Sequence, residues 1–472
     1  MKEGRNPYRE ITRVFDPEEG GVTFPPRFRA VFTGVENKEG TREVHTVLLD
    51  GKGNAWATGA NDSGQLCLGD DIDRLIPERI KLDARIVDVA VGGAHTLLLD
   101  KDGNVFGCGS NTMGQLGLGR KPTSVDIPTR VDLGRNSIEI ATVSAGHSHT
   151  LMSSSDGDLY VTGSNEYGQL CADTDGKDVF TPRAFDVDDR EFAAFEAGRH
   201  SSYVLHVDGS ANACGSNDRG QLGDGTNDDA FVTAVKLPKD RKIFTSLGVG
   251  PAALSAFFLT EDGRAWGTGA NDRGQLGVGN KRDRDRLTML EFQEGTEVHL
   301  LSAGETHSLA LKTGGDDPTA YPTFAPSEVG DSSAPTYSPS SGYPTFSPTE
   351  TPGTESPTPM GSEFWFWGAP EAVGQDNDGE NVLEPVSTGP GVAHVSAGER
   401  YTVIVLKDGS ALSGGFVESL ENYSGHLGSS AAVVQGVNPF QPVAIAMMTS
   451  RKNRNSDDAP GGTGRTRESR PA

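Results

Sequence analysis

The residues best equipped for chemistry are histidines that stand beside a hydroxyl: His45-Thr46, His95-Thr96, His149-Thr150 and His307-Ser308. An imidazole and a nearby hydroxyl can act as base and nucleophile. Here the pair recurs four times at one position of a repeating pattern, and one active site has no use for four copies. The serines of Gly-Ser-Asn-Asp and Gly-Ser-Asn-Glu lack the strand–turn–helix elbow that exposes a nucleophilic serine. The expectation is therefore structural: histidine and threonine bond backbone near an inner strand, and no catalytic residue is assigned. Trp56, Trp266, Trp365 and Trp367 are read as core. Cys67, Cys108, Cys171 and Cys214 show no CxxC spacing and are too few for a disulfide framework, so they are read as small buried residues. No metal or other cofactor is expected.

The two residues ahead of the recurring histidine position do vary. They are Gly93 and Ala94, His147 and Ser148, Arg199 and His200, Glu305 and Thr306, then Glu399 and Arg400. Their charge differs from copy to copy, as a surface that reads a partner requires. His147, Arg199, His200, Glu305, Glu399 and Arg400 are expected to line one face and bind a protein partner. The plainer reading, ordinary solvated loops, stays open beside it.

What positions these residues is a ruler that runs the length of the chain. From His149 to Gly157 is eight residues, from Gly157 to Gly163 six, and from Gly163 to Gln169 six. The same steps run from His45 to Gln65 and from His95 to Gln115. With serine in place of histidine they run from Ser201 to Gln221 and from Ser255 to Gln275. Worn copies begin at His307 and at Tyr401, the second drifting into Tyr-Ser-Gly-His-Leu-Gly near His426. The seven anchors are 50, 54, 52, 54, 52 and 94 residues apart, and 94 minus 52 leaves 42 inserted residues.

Each repeat reads as strands. In VDVAVGGAHTLLLDKDGNVFGCGSN two apolar runs flank Asp102-Gly103, a hairpin signal that predicts a type I′ turn. A further strand is predicted near segments such as Ile127 to Leu133. A period of about 50 residues with three or four short strands means a propeller blade. Each repeat then closes on one loop, GANDSGQLCLG at Gly59, GSNTMGQLGLG at Gly109 and so on. Its glycines open backbone conformations closed to other residues. Its asparagine tolerates left-handed geometry, its leucine fills the space between blades, and its glutamine amide satisfies backbone groups.

This combination resembles the RCC1 (regulator of chromosome condensation) repeat family from about residue 28 to about 445. The resemblance implies an all-β fold, a seven-bladed β-propeller with a disordered Pro/Thr/Ser-rich insertion in the sixth blade. The expected boundaries are an N-terminal segment at 1–27, blades one to six at 28–313, the insertion at 314–360, the rest of blade six and blade seven at 361–450, and a disordered basic tail at 451–472. Arg9 to Phe15 or Pro442 to Met448 is expected to close the ring, one completing the blade begun by the other.

The family's best-known activity is guanine-nucleotide exchange on a Ran-like small GTPase, worked by acidic and histidine side chains in the variable pairs. No pair here holds aspartate, and repeats two to five lack the extra hairpin of the exchange factor's third blade. Relatives that sense ultraviolet light carry tryptophan in Gly-Trp-Arg-His-Thr; no copy here does. The resulting reading is a non-catalytic interaction scaffold. Nucleotide exchange is the first alternative and a secreted or surface recognition module the second.

Bulk properties bound the partners. The formal charge of -24 repels phosphate backbones, so nucleic acid is not the expected partner of the propeller body. No apolar run of about 18 residues offers a membrane span, and a monomer is expected. The N-terminus lacks the apolar core of a secretory signal. The expectation is therefore cytoplasm or nucleus, or the cell exterior if a signal precedes this chain. Ten prolines between Pro318 and Pro359 predict an extended tether, open to glycosylation or phosphorylation. Asn61-Asp62-Ser63 and Asn422-Tyr423-Ser424 fit the N-glycan pattern.

Overall fold

The computed structural model describes residues 14–16, 21–23, 26–35, 44–134, 138–172, 174–185, 190–237, 243–290, 292, 298–312, 363–369, 382–390, 392–417 and 436–442. Every regular element among them is a strand. A hairpin of β1 (Val14–Asp16) and β2 (Gly21–Thr23) pairs only with itself. Seven four-stranded antiparallel sheets follow. Blade 1 is β3 (Phe28–Thr33), β4 (His45–Asp50), β5 (Ala55–Gly59) and β6 (Arg74–Arg79). Blade 2 is β7 (Ile86–Val91), β8 (His95–Asp100), β9 (Val105–Ser110) and β10 (Ser124–Arg130). Blade 3 is β11 (Ile140–Ala145), β12 (His149–Ser154), β13 (Leu159–Gly163) and β14 (Val179–Phe185). Blade 4 is β15 (Phe192–Ala197), β16 (Ser201–His206), β17 (Ala211–Gly215) and β18 (Ala230–Ala234). Blade 5 is β19 (Phe244–Gly248), β20 (Ser255–Thr260), β21 (Ala265–Gly269) and β22 (Arg284–Met289). Blade 6 is β23 (Val298–Ala303), β24 (His307–Lys312), β25 (Glu363–Gly368) and β26 (Val382–Pro390). Blade 7 is β27 (Val392–Ala397), β28 (Tyr401–Leu406), β29 (Ala411–Val417) and β30 (Gly436–Pro442).

Burial explains the strand sequences. The second strand is covered on both faces, and in blades 1 to 5 every one of its residues is buried. It therefore reads as a continuous apolar run rather than an alternation. The fourth strand lies on the rim and is mostly open to solvent. Apolar clusters sit between blades, not within them. One joins blades 1 and 2, others join 2 to 3 and 3 to 4, and the largest spans 4 to 6. Two more join 6 to 7 and 7 back to 1, so the ring closes.

Closure does not use a borrowed strand. Blades 1 and 7 each own four strands, and Arg9 to Phe15 contributes only to the separate hairpin. Of Pro442 to Met448, Pro442 ends β30 within its own blade and the rest lies outside the described residues. The seam is packing plus a few bonds. Phe28 N donates to Gly409 O at 2.8 Å, Thr33 Oγ1 meets Ser396 Oγ at 2.7 Å, and Tyr401 Oη donates to His45 O at 3.2 Å. Each repeat builds one complete sheet, so no blade is left to be finished by the other terminus.

Two further expectations change. The hairpin at Asp102-Gly103 is a three-residue loop: Asp100 N bonds Asn104 O, and only Gly103 has positive φ, at 75°. One left-handed residue after a tight turn satisfies the strand twist without forcing Asp102 into that region. The cysteines are also paired. Cys67 bridges to Cys108 with Cα atoms 5.5 Å apart, and Cys171 to Cys214 at 5.2 Å. Equivalent cysteines are two blades apart, but each has a different partner in the adjacent blade, a juxtaposition that linear spacing hides. In blade 6, Lys312 pairs with Glu363. The expected insertion at 314–360 and tail at 451–472 lie outside the described residues.

Candidate partner-reading face

The loop joining the first and second strands of each blade carries the variable pairs. Glycine opens it because the next blade passes close by. A Cβ on Gly146 would collide with the Gly198 carbonyl and with the His149 ring. Backbone bonds then carry the loops from blade to blade. Gly93 N donates to His147 O at 3.0 Å, His147 N to Arg199 O at 3.1 Å, and Arg199 N to Ala253 O at 3.2 Å. The variable residues therefore stand in a ring on one end of the propeller.

Beneath that ring lies a relay of buried hydrogen bonds. His45 Nε2 meets Thr96 Oγ1 at 2.9 Å, His95 Nε2 meets Thr150 Oγ1 at 3.2 Å, His149 Nε2 meets Ser202 Oγ at 2.9 Å, and His307 Nε2 meets Thr402 Oγ1 at 2.8 Å. Three of these hydroxyls donate onward to the backbone carbonyls of Gln65, Gln115 and Gln169, at 2.8, 2.8 and 2.7 Å. They thus accept from the imidazole N–H. Histidine was expected to bond backbone. It also bonds the next blade's hydroxyl, and the hydroxyl carries the bond on to backbone. Burial lowers all four histidines to about 3, so they are neutral at physiological pH. They bind blades together and are closed to solvent.

Above the relay the side chains gather unevenly. His147 and His200 lie with ring centroids 5.4 Å apart, and Tyr167 lies 5.2 Å from His200. Arg199 Nη1 pairs with Glu305 Oε2 at 3.3 Å, reaching from blade 4 to blade 6. It can do so because blade 5 presents Pro251, Ala252, Ala253 and Leu254 where blade 3 presents only His147 and Ser148. That longer loop carries no charge. All of His147, Arg199, His200, Glu305, Glu399 and Arg400 are half-buried rather than freely solvated. Glu399 and Arg400 follow on blade 7, where Thr306 Oγ1 donates to Glu399 O at 3.1 Å. Burial, then His147 and Arg199, lower His200 to about 4 against the pull of Asp218. At neutral pH it is an uncharged ring with donor and acceptor edges.

Neighbouring positions escaped the sequence reading. The two unspecified residues of each Gly-x-Asn-x-x-Gly-Gln-Leu loop face outward next to this ring. Among them are Tyr167, Asp218 and Asp272, all exposed, and Arg219, which pairs with Asp283 at 2.6 Å and Asp272 at 3.3 Å. Their signal was present: they vary between copies just as the histidine-preceding pairs do. The loop holds them out because its invariant residues are consumed internally. Asn111 Oδ1 accepts Leu116 N at 3.1 Å, while its Nδ2 donates to Gly119 O and Pro122 O at 2.8 and 2.9 Å. Gln115 Oε1 accepts Met113 N at 2.9 Å. Asn61, likewise, is fully buried with its amide donated to Asp70 O at 2.8 Å, so the folded protein does not present it for glycosylation. Asn422 lies outside the described residues.

An axial cavity of about 320 Å³ runs below, lined by Asp88, Ser144, Glu196, Ser302, His394 and Ser396 among others. Its hydroxyls are structural: Ser144, Ser302 and Ser396 accept the N–H of Ala197, Ala397 and Thr33 in the next blade, at 3.0, 3.0 and 3.1 Å. Burial raises Glu196 to about 8. Among the described residues no group of three or more potential ligands is arranged for a metal, and no helix is long and apolar enough to cross a membrane.

Three comparisons bear on this architecture. The ultraviolet-B receptor UVR8 of Arabidopsis thaliana is 33% identical over 249 residues, covering 52% of this chain and 55% of the receptor. This chain thus spans just over half the length of that relative. Human WBSCR16 superposes with a TM-score of 0.64 at 18% identity, covering 83% of this chain and 94% of that one. Prp20p of Saccharomyces cerevisiae, described with its binding properties to Gsp1p and histones, superposes at 0.56 with 19% identity, covering 80% and 82%. At those identities the two structures speak for the fold alone. The family model for the RCC1-like domain matches residues 28–321, the stretch in which the relay and the variable ring recur blade after blade, and the chain belongs to the RCC1-like domain family.

Proposed function

We propose that this propeller is a non-catalytic scaffold that holds a protein partner on the face of variable loop pairs. The observation that carries the reading is the half-buried cluster of His147, Arg199, His200 and Glu305 with the exposed Tyr167 beside it, drawn from blades 3, 4 and 6 onto one rigid rim. Loops on a rigid frame present side chains at fixed separation, so a partner can be selected at small entropic cost. The frame residues are identical in role from blade to blade, while the rim residues differ. Selection for binding acts on the second set and selection for folding on the first.

The test compares two variants of the full chain in affinity purification from its native cells. His200→Ala/Arg199→Ala alters the rim. Lys101→Ala/Asp102→Ala alters an exposed hairpin tip on the third-strand side. Proteins retained by the wild type and the tip variant but lost from the rim variant support the reading. Equal retention by both refutes it.

A GTPase regulator is the second reading, favoured by the fold likeness to a protein that binds Gsp1p and by the acidic Asp218 and Asp272 beside the ring. Release of fluorescent GDP from a Ran-type GTPase decides it. Acceleration by trace amounts of the chain, lost on His200→Ala/Arg199→Ala, establishes exchange.

A further inference from the structure

We infer that the two interblade disulfides are selected cross-links and that this chain folds in an oxidising compartment, against the intracellular expectation drawn from its N-terminus. The inference is independent of the partner-reading proposal.

It rests on a comparison the repeats make among themselves. Two positions are equivalent across five blade interfaces, and meet at Cys67–Cys108, Cys171–Cys214, Gly223–Thr268 and Gly277–Trp367: the residue after Gln-Leu in one blade and the residue before the motif's first glycine in the next. Reading around the ring, the pairs are Cys67 and Cys108, Gly117 and Thr162, Cys171 and Cys214, Gly223 and Thr268, then Gly277 and Trp367. A cysteine never appears here without its partner. Where the first position is glycine, the second is threonine or tryptophan.

Backbone geometry sharpens the argument. Gly117, Gly223 and Gly277 have φ of 68°, 66° and 64°, a region that favours glycine. Cys67 and Cys171 adopt it too, at 60° and 54°. They are two of only three non-glycine residues with positive φ among those described. A side chain at these sites works against the backbone, so a gain elsewhere has to offset it. A bond to the next blade supplies one. The Cα separations of 5.5 and 5.2 Å lie within the range a disulfide spans. All four sulfurs are buried, and no cysteine of the chain is left free. A buried bridge is shielded from the thiolates that would reduce it.

Each bond forms by thiol–disulfide exchange. Two S–H bonds are lost and one S–S bond is made. Two electrons and two protons pass to the disulfide of a thiol–disulfide oxidoreductase, which leaves as a dithiol. Such catalysts and such bonds belong to the secretory pathway, the periplasm and the cell exterior. The bridges tie blade 1 to blade 2 and blade 3 to blade 4, and leave blade 5 and the seam uncrosslinked.

The experiment lyses cells directly into denaturant with iodoacetamide, so that buried thiols are reached, then weighs the intact chain. The expected result is no added carbamidomethyl group before reduction and four after it. A non-reducing peptide map should join Cys67 to Cys108 and Cys171 to Cys214. Four alkylated cysteines before reduction, or any other pairing, overturn the inference. A second measurement uses the ring's own alternative, Cys67→Gly/Cys108→Thr/Cys171→Gly/Cys214→Thr. Unfolding the wild type, reducing it with dithiothreitol and refolding it in the reductant should lower its melting midpoint by on the order of 10 °C, and the same treatment should leave this variant unmoved. A wild type that melts identically with and without reductant refutes the cross-link.

Discussion

Blades 2 and 3 and blades 4 and 5 perform the same structural task with different chemistry. In the first pair, neutral histidines reach across to the next blade's hydroxyl, His95 to Thr150 and His149 to Ser202. In the second, Ser201 and Ser255 are too short to reach. Aromatic mass takes over instead: Tyr203 and Phe244 pack on Phe258, and Phe257 packs on Trp367. Tyr203 Oη also donates to Gln221 O at 2.9 Å, satisfying the carbonyl that a threonine serves elsewhere. The interface repeats as a filled volume with the glutamine carbonyl served, not as a residue list. The sector that abandoned histidine is also the one whose blade 5 loop lengthened, and Arg199 and Glu305 meet across it.

Acid should separate the two sectors most strongly. His45, His95, His149 and His307 have folded values near 3, below an unfolded value of 6.5. The unfolded chain therefore binds more protons as pH falls below 6.5, and stability is lost from there downward. At pH 5 the cost is about 2 kcal/mol per ring, or about 8 for the four. Glu196, raised to about 8, works in the opposite sense and returns about 3 kcal/mol between pH 7.5 and 5. A net loss of at least about 5 kcal/mol should appear as a lower urea midpoint at pH 5. His95→Ser, which copies blades 4 and 5, should reduce that pH dependence. An unchanged midpoint would mean that the rings are already charged in the folded protein.

Core truncation should sharpen the contrast next. Phe258→Ala in blade 5 should cost about 4 kcal/mol, more than Leu98→Ala at the equivalent site of blade 2, because it removes the ring that both Tyr203 and Phe244 lean on. Equal costs in chemical denaturation would show that the aromatic sector is no more dependent on its packing. Asn111→Ala should cost about 3 kcal/mol, since it leaves Leu116 N and two carbonyls unsatisfied in a buried loop. Asn271→Ala, in the same role in blade 5, should cost the same, because both sectors keep this loop. The smallest stability effect belongs to the rim. Arg199→Ala should change stability by less than about 1 kcal/mol while reducing partner retention at least 10-fold. A large destabilisation would recast that pair as a structural clasp.

Much of this was open to reading from the chain. The 8-6-6 steps located five blades and their worn copies the other two, and the four histidine copies marked one recurring position of the frame. His147, Arg199, His200, Glu305, Glu399 and Arg400 stand half-buried on the loops between first and second strands. The outward pair of the Gly-x-Asn-x-x-Gly loop carries the same variation, but nothing local to that loop marks it as a neighbour of the histidine-preceding pair. The disulfides were misread for a physical reason. Cys67 and Cys108 stand 41 residues apart, and nothing in linear spacing says that the end of one blade's loop packs on the third strand of the next.

The sequence by itself determined the module: strand, hairpin, strand, glycine-rich loop, repeated until seven had been written. Those features are local, set by φ preferences, apolar runs and side chains that bond their own loop, and local forces leave local marks. The tertiary structure alone decided what crosses from one module to another. Histidine to hydroxyl, cysteine to cysteine, arginine over an uncharged neighbour to glutamate, and the closing of blade 7 on blade 1 all depend on how sheets stack. Residues that meet only through stacking are distant along the chain, so no window on the sequence contains both partners.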